Sequence, residues 1–569
     1  MTNLKWWQKA VFYQIYPRSF ADGNGDGIGD FIGMTEKLDY LKDLSIDAIW
    51  ISPHFPSPQF DVGYDISDYV NVAPEYGTLA DFKQFLDGAH QRGMHVILDL
   101  VLNHTSHLHQ WFIESHSSRD HPKRDWYIWR DGKNGGPPNN WMSPFGGSAW
   151  EYDETTDQYY YHFFLKEQPD LNWRSPKVKE AMWEAVRFWL DLGVDGYRLD
   201  AIGTIFEDPA LPDHRSLMTQ EEMRHALKHG FPSDSDKELV EQWEQMYGLQ
   251  IEQEGVHELM QELRTVIDEY HDRVLVGEND DVKYYGNGSN ELHMAFNFPL
   301  MRTDRLTPAW IRANQKKRLA SLPPGAWPCN TLNNHDTSRL HNRYGDSQQD
   351  DAIARTSLAL MLTLRGTPFL YNGEEIGMSD YRLTDISLFR DPPAVWFYNE
   401  EIAKGTPPKE ALLLAADDSR DRCRTPMQWR NAVNAGFSPE EVTTWLPVNP
   451  NYAAGVNVAD QQNDPQSMLN FYKQLLLVRK QNPALIYGEY TPLHDTSNEY
   501  FAFQRQSDSP QQTCLVVLNL SNQSHQVEFE LPGHTLQCLF STHKPVNESL
   551  ALRELSVAPF EILIGELIS

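Results

Sequence analysis

Four groups of polar side chains stand where this 569-residue chain could assemble a catalytic site: Asp99, Asn103 and His104; Arg198 and Asp200; Glu278; His335 and Asp336. Each group closes a short apolar, β-branched run, at the C-terminal end of an expected strand. Strand side chains alternate faces with period two, so Arg198 and Asp200 point to the same side. Taken singly, Asp99 reads as a loop cap or ion-pair partner, and His104 or His335 as a satisfied structural histidine. Four carboxylates and an arginine on one rim are another matter. Burying such charges unpaired costs several kcal/mol each, on the order of a whole margin of stability. Paired carboxylates, with no Ser/His/Asp or Cys/His set and no metal triad, point to glycosyl chemistry. One attacks the anomeric carbon; the other protonates the leaving oxygen and then activates water. A gap of about 5–5.5 Å between them predicts retention, and one of roughly 6.5–9.5 Å predicts inversion. Arg198 beside Asp200 is expected to hold that carboxylate ionised.

The elements that must carry these residues follow from periodicity. Strand-like runs fall at Ala10–Tyr16, Ala48–Ser52, His95–Val101, Gly196–Asp200, Val274–Glu278, Met294–Phe298, Trp327–Leu332 and Pro368–Asn372. Amphipathic helices at Leu79–Arg92, Gly255–Tyr270 and Ala352–Leu364 follow several of them. The clearest helix starts at Ser175-Pro176, buries Val178, Met182, Val186, Trp189 and Leu190, and stops at Gly193. Eight such units predict an α/β fold, a (β/α)8 TIM barrel; no G-x-G-x-x-G follows any strand, which weighs against a doubly wound sheet. Residues 104–173 are too long for a structureless loop and read as a small inserted domain after the third strand. Residues 378–460, rich in Pro, Asp and Asn, form a second excursion. Beyond the helix Met468–Gln481 the pattern alternates, predicting a C-terminal antiparallel β-sandwich. The expected organisation is a barrel over 1–103 and 174–485, an insert over 104–173 and a terminal domain over 486–569.

A formal net charge of −31 argues against nucleic acid and anionic membrane as partners and favours a small neutral or cationic ligand. The aromatic share, 12%, fits either a sugar-lined site or a large core. The four cysteines, Cys329, Cys423, Cys514 and Cys538, show no C-x-x-C spacing, so neither a disulfide scaffold nor a zinc site is expected. Met1–Lys9 is too short and polar for a signal peptide, and no apolar run reaches roughly 18 residues, so a cytoplasmic protein is expected. Without a coiled-coil heptad or apolar stripe, a monomer or small homo-oligomer is expected.

The polar groups sit in strings that resemble the α-amylase family of glycoside hydrolases, in its α-glucosidase and oligo-1,6-glucosidase branch. They are Asp99-Leu-Val-Leu-Asn103-His104, Gly196-Tyr-Arg198-Leu-Asp200, Val276-Gly-Glu278-Asn and Asn334-His335-Asp336. Supporting strings include Tyr13-Gln-Ile-Tyr-Pro-Arg-Ser-Phe20, Gly63-Tyr64-Asp65-Ile-Ser-Asp68-Tyr69, Gln168-Pro-Asp-Leu-Asn172 and Arg424-Thr-Pro-Met-Gln-Trp429. The resemblance implies Asp200 as nucleophile, Glu278 as acid/base and Asp336 as a third carboxylate gripping the sugar hydroxyls. It places His104, His335 and Arg198 around the sugar, Tyr64 beneath it, and Asp61 and Arg424 at a closed end that limits attack to terminal glucose. Ala201, smaller than the valine that accompanies α-1,6 activity in relatives, favours α-1,4 bonds. Asn279-Asp280-Asp281 departs from the family pattern and is expected to reshape the leaving-group side, whereas Asn372 for glutamine reads as neutral. The run Asp22-Gly-Asn24-Gly-Asp26-Gly-Ile28-Gly-Asp30 alternates oxygen ligands with glycine like the start of an EF-hand loop, without its terminal bidentate Glu. By resemblance it holds a structural Ca2+ or Mg2+; no organic cofactor is expected. A glucosyl-transferring relative, such as a sucrose isomerase or trehalose synthase, would share every catalytic residue. A non-catalytic carbohydrate-binding or transporter-associated subunit would have no need of Glu278.

Overall fold

The computed structural model describes residues 4–227, 236–531 and 535–568, so Met1–Asn3 of the amino-terminal stretch lie outside the described residues. Eight parallel strands form one sheet: β1 Phe12–Ile15, β2 Ala48–Ile51, β3 His95–Val101, β4 Gly196–Asp200, β5 Val274–Gly277, β6 Met294–Ala295, β7 Cys329–Thr331 and β8 Thr367–Tyr371. The order β7-β8-β1-β2-β3-β4-β5-β6 is that of a barrel open at one seam. The seam is bridged by side chains. Cys329 Sγ donates to the Ala295 carbonyl at 3.2 Å, and Arg318 reaches the same oxygen at 2.6 Å.

Strand alternation sorts the barrel into layers. Tyr13, Ile49, Leu98, Tyr197 and Leu275 face the surrounding helices, while Phe12, Trp50, Ile97, Val274, Val276 and Phe369 fill the interior. Further along the inward rows come Gln14, Asp99, Arg198, Asp200 and Glu278. The interior is thus an apolar plug with a polar upper layer. The register seats Asp99 beside Arg198 and Val101 beside Asp200.

The helix Pro176–Leu192 buries the five residues expected of it and ends on Gly193 at φ 109°, a left-handed cap that a β-carbon would disfavour. After β3 the chain builds a small antiparallel sheet from Trp129–Arg130, Gln158–Tyr161 and Trp150–Asp153. Its tryptophans Trp126, Trp129, Trp141 and Trp150 are buried, so much of the aromatic surplus serves packing rather than open sugar platforms. A third excursion, not singled out from sequence, lies between β4 and β5 with helices Gln220–Ala226 and Lys237–Tyr247. It was hidden because its helices carry the same amphipathic spacing as barrel helices. The excursion after β8 carries the helices Pro392–Lys404 and Pro408–Asp418. Arg224 ties the two together, pairing with Asp418 and lying over Trp396 and Phe397 at 5.3 and 4.9 Å.

The C-terminal residues form a six-stranded antiparallel sheet, one face of which is covered by the pair His525–Val527 and Leu555–Val557. The expected sandwich is therefore lopsided, with a second layer of two strands. The other face, through Phe501, Phe503, Val516, Leu518, Ile562 and Ile564, joins the main core. Two buried arginines, without a carboxylate partner among the described residues, fasten this junction. Arg479 donates to the carbonyls of Leu362 (2.6 Å), Gly366 (2.9 Å) and Leu485 (3.0 Å). Arg505 donates to those of Thr363 (2.5 Å), Gly488 (3.0 Å) and Ile486 (3.5 Å). Thr363 and Ile486 lie in the last turns of helices, where unpaired carbonyls and the helix dipole attract a cation.

Candidate active site

The polar layer is organised around Arg198, which is fully buried. Its Nη1 meets Asp99 and Asp200, each at 2.7 Å, and its Nη2 meets Glu278 at 2.8 Å. β4 and β5 deliver the two candidate catalytic carboxylates to one guanidinium, and the backbone N–H of Ala201 donates to Glu278 Oε2 at 2.9 Å. Ala201 stands at φ 41°, a left-handed turn immediately after Asp200.

Three carboxylates share this one cation, and the electrostatics follow. Burial, then the charge of Glu278, push the Asp200 carboxyl well above the usual range against the pull of Arg198. Burial likewise raises Asp99 to about 6, again against Arg198. Arg198 pulls the Asp200 carboxyl down, as the sequence suggested, but divides its charge among three carboxylates. Asp336 is the opposite case. Burial opposes its charge, but the guanidiniums of Arg424 and Arg420 outweigh it and hold the carboxyl well below its usual value.

The remaining expected residues converge on the same rim. The Tyr64 hydroxyl lies 2.6 Å from His335 Nε2 and donates to Asp99 Oδ2 at 3.2 Å, and the Tyr64 ring lies parallel to that of His335 at 5.6 Å. His335 Nδ1 meets Gln14 Nε2 at 2.7 Å. His104 contacts Asn103 Oδ1 (2.8 Å), the Tyr64 carbonyl (3.1 Å) and Gln168 (2.9 Å). Burial drives both histidines down to about 3, so they are neutral. Asp61 does not pair with Arg424; it accepts from Arg420 Nη2 and from Gln168 Nε2, each at 3.0 Å. Arg424 instead binds Asp336 and, through Nε, the His335 carbonyl at 2.8 Å.

Arg420 was missed from sequence. It bridges Asp61 (3.0 Å), Asp336 (3.5 Å) and Asp391 (2.7 Å) and faces the ring of Phe145 at 5.4 Å. The available signal was density: Arg420, Arg422 and Arg424 fall within five residues, of which only Arg424 belonged to a quoted string. Phe145 packs on Phe164, which packs on His104, so the insert forms one wall of the site.

Beyond Glu278, Asn279 turns to Glu252 (2.7 Å), Asp280 pairs with Arg302 (3.4 Å), and Asp281 caps the next turn. The run expected to reshape the leaving-group side is thus engaged with neighbours. Asn372 accepts from the Tyr16 N–H at 3.0 Å beneath the rim. In the glycine-rich loop, Asp22 accepts from Gly25 (2.6 Å) and Gly27 (2.9 Å), Asp26 from Ile28 (2.9 Å), and Asp30 from Asn24 (2.9 Å) and Gly33 (2.7 Å). Among the described residues no group of three or more His, Cys, Asp or Glu side chains is disposed to hold a metal, and no helix is long and apolar enough to cross a membrane.

Comparison with known proteins bears on the family. Residues 14–488 match the family described as alpha amylase, catalytic domain. The chain is 41% identical to an oligo-1,6-glucosidase of Parageobacillus thermoglucosidasius, over 98% of both chains. Among solved structures it resembles the trehalulose synthase MutB from Pseudomonas mesoacidophila MX-45, with TM-score 0.87 and 38% identity over the whole of both chains. It also resembles a mutant isomaltulose synthase from Erwinia rhapontici NX5 in complex with its natural substrate sucrose, with TM-score 0.85 and 37% identity over the whole of both chains.

Proposed function

The chain belongs to the alpha-amylase family of glycoside hydrolases, and on that premise we propose that it is a retaining, exo-acting α-glucosidase working through a covalent glucosyl-enzyme. The observation that carries this reading is the seating of Asp200 and Glu278 on the two terminal nitrogens of one buried guanidinium. That arrangement favours the short carboxylate gap of a retaining enzyme. Asp200 attacks the anomeric carbon while Glu278 gives its proton to the glycosidic oxygen, which leaves with the aglycone. Glu278 then takes a proton from water, whose oxygen displaces Asp200. Asp336, held ionised, grips the sugar hydroxyls and stabilises the positive charge that develops at the anomeric centre. His104, His335 and Arg198 bind the same glucose unit, and Tyr64 packs against it. The Asp61–Arg420 and Asp336–Arg424 pairs wall off the far end of the pocket, which restricts it to a terminal glucose.

Small α-glucosides and short oligosaccharides are the substrates of this reading. Ala201 leaves room beside the nucleophile and supports a preference for α-1,4 bonds, while the name of the oligo-1,6-glucosidase relative supports the α-1,6 alternative. The sucrose-bound neighbour supports a second reading, transfer of glucose to a sugar in place of water. Products from maltose, isomaltose, sucrose, trehalose and kojibiose separate these readings. We expect glucose release fastest from maltose; isomaltose turned over faster reverses the linkage preference, and rearranged disaccharide from sucrose makes the enzyme a transferase.

We further propose that the loop holds a structural Ca2+ or Mg2+ through Asp22, Asn24, Asp26, the Ile28 carbonyl and Asp30. The donor set is all oxygen and suits a hard cation, and Gly25 and Gly27 at φ 79° and 94° let the turn curl around one. A chelator should then lower the melting temperature by several degrees while turnover per folded molecule holds. An unchanged melting temperature would leave a turn closed by its own hydrogen bonds alone.

A further inference from the structure

We infer that Glu252 is a positioning residue for the acid/base Glu278, an assignment that rests on the glycosidase reading above. Glu252 comes from the excursion between β4 and β5, far from either catalytic strand end in sequence. Its Oε1 accepts from Asn279 Nδ2 at 2.7 Å, and Asn279 is the residue directly after Glu278. Asn279 Oδ1 in turn accepts from the Asp281 N–H at 2.8 Å, so the Asn279 side chain is held at both ends. Glu252 Oε2 accepts from the hydroxyl of the buried Tyr284 at 2.9 Å. Tyr284 is backed by the His257 ring at 4.9 Å, and His257 is fixed by Glu291 at 2.9 Å.

The turn after the nucleophile accommodates this carboxylate. The Glu252 N–H donates to the Gly203 carbonyl at 2.7 Å, and a β-carbon at Gly203 would collide with the Glu252 carboxylate. Glu252 itself sits at φ 54°, a left-handed conformation that costs a non-glycine residue of order 1–3 kcal/mol and persists only where its surroundings impose it. One residue with a strained backbone thus ties the turn following Asp200 to the residue following Glu278. The Ala201 N–H and Arg198 hold the Glu278 carboxylate itself; Glu252 fixes the backbone from which that carboxylate projects.

A misplaced general acid matters most when the leaving group needs its proton. The test compares the best disaccharide of the panel, whose leaving sugar oxygen requires protonation, with α-glucosyl fluoride, whose leaving fluoride requires little. Glu252→Ala should lower kcat/KM for the disaccharide about tenfold or more, with kcat/KM for the fluoride, which ends at departure of the leaving group, changed less than about threefold. Gly203→Ala, which displaces the carboxylate by contact, should give the same split. Glu252→Gln, whose oxygen still accepts from Asn279, should restore most of the loss. Equal losses on both substrates, or no loss on the disaccharide, would overturn the role of Glu252 and leave the glycosidase reading intact. Wild-type protein inert toward both glucosides overturns that reading and this inference with it.

Discussion

Asp200→Asn and Glu278→Gln should each lower kcat by about two to four orders of magnitude or more, and neither should lower the melting temperature. The two halves of this expectation have one cause. Asp99, Asp200 and Glu278 crowd around the single charge of Arg198, and burial with mutual repulsion raises Asp200 and Asp99. Replacing one carboxylate by its isosteric amide removes a repulsion the fold tolerates only for function. Asn at 200 keeps an oxygen for Arg198, and Gln at 278 keeps one for the Ala201 N–H. The melting temperature should therefore hold or rise slightly. The variants should also differ in kind. Glu278→Gln should keep more activity on α-glucosyl fluoride than on a disaccharide, whereas Asp200→Asn should lose both, because no leaving group replaces a nucleophile. Either variant turning over a disaccharide at near wild-type rate would remove that residue from the chemistry.

The second large effect lies far from the site. Arg505→Met should destabilise the protein by about 3–5 kcal/mol, because two buried carbonyls and a half-buried third lose their donor. Arg505→Lys should recover little of this, since one ammonium cannot span the carbonyls of Thr363, Gly488 and Ile486 as a planar fork does. Burial pulls Arg505 well below the usual arginine range, and the neighbouring charge of Arg479 adds to that. The guanidinium is therefore tolerated only through its hydrogen bonds. Thermal and denaturant unfolding would measure the loss, with kcat/KM per folded molecule unchanged. A variant that melts with the wild type would show that packing alone holds the junction.

The barrel was legible in the chain because the strands are short apolar runs, several of them closed by polar residues, and all eight runs form strands. The helix Met468–Gln481 likewise appears with the bounds its pattern predicts. Legibility declined where spacing ceases to carry information. The excursion between β4 and β5 uses ordinary helical patterning, so Glu252 carried no mark of its place beside Asn279. Arg420 was invisible for a related reason. An arginine amid acidic residues is ordinary on a surface, and its partners Asp61, Asp336 and Asp391 come from three other parts of the chain. Charge sharing was also beyond reach. Sequence placed Arg198 beside Asp200, but only the register of β3, β4 and β5 brings Asp99 and Glu278 to the same guanidinium.

That sharing bears on how tightly the pocket holds what enters it. A neutral sugar in its relaxed chair offers the surplus negative charge nothing to neutralise. Its hold on the pocket comes from hydroxyl hydrogen bonds and van der Waals contact. In the proposed reaction, positive charge appears at the anomeric carbon beside Asp200 and Asp336 as the glycosidic bond lengthens, and the same pocket gains an attraction it lacked a moment before. The electrostatic imbalance thus works as a discriminator along the reaction coordinate, slack toward the arriving substrate and tight toward the fleeting cation.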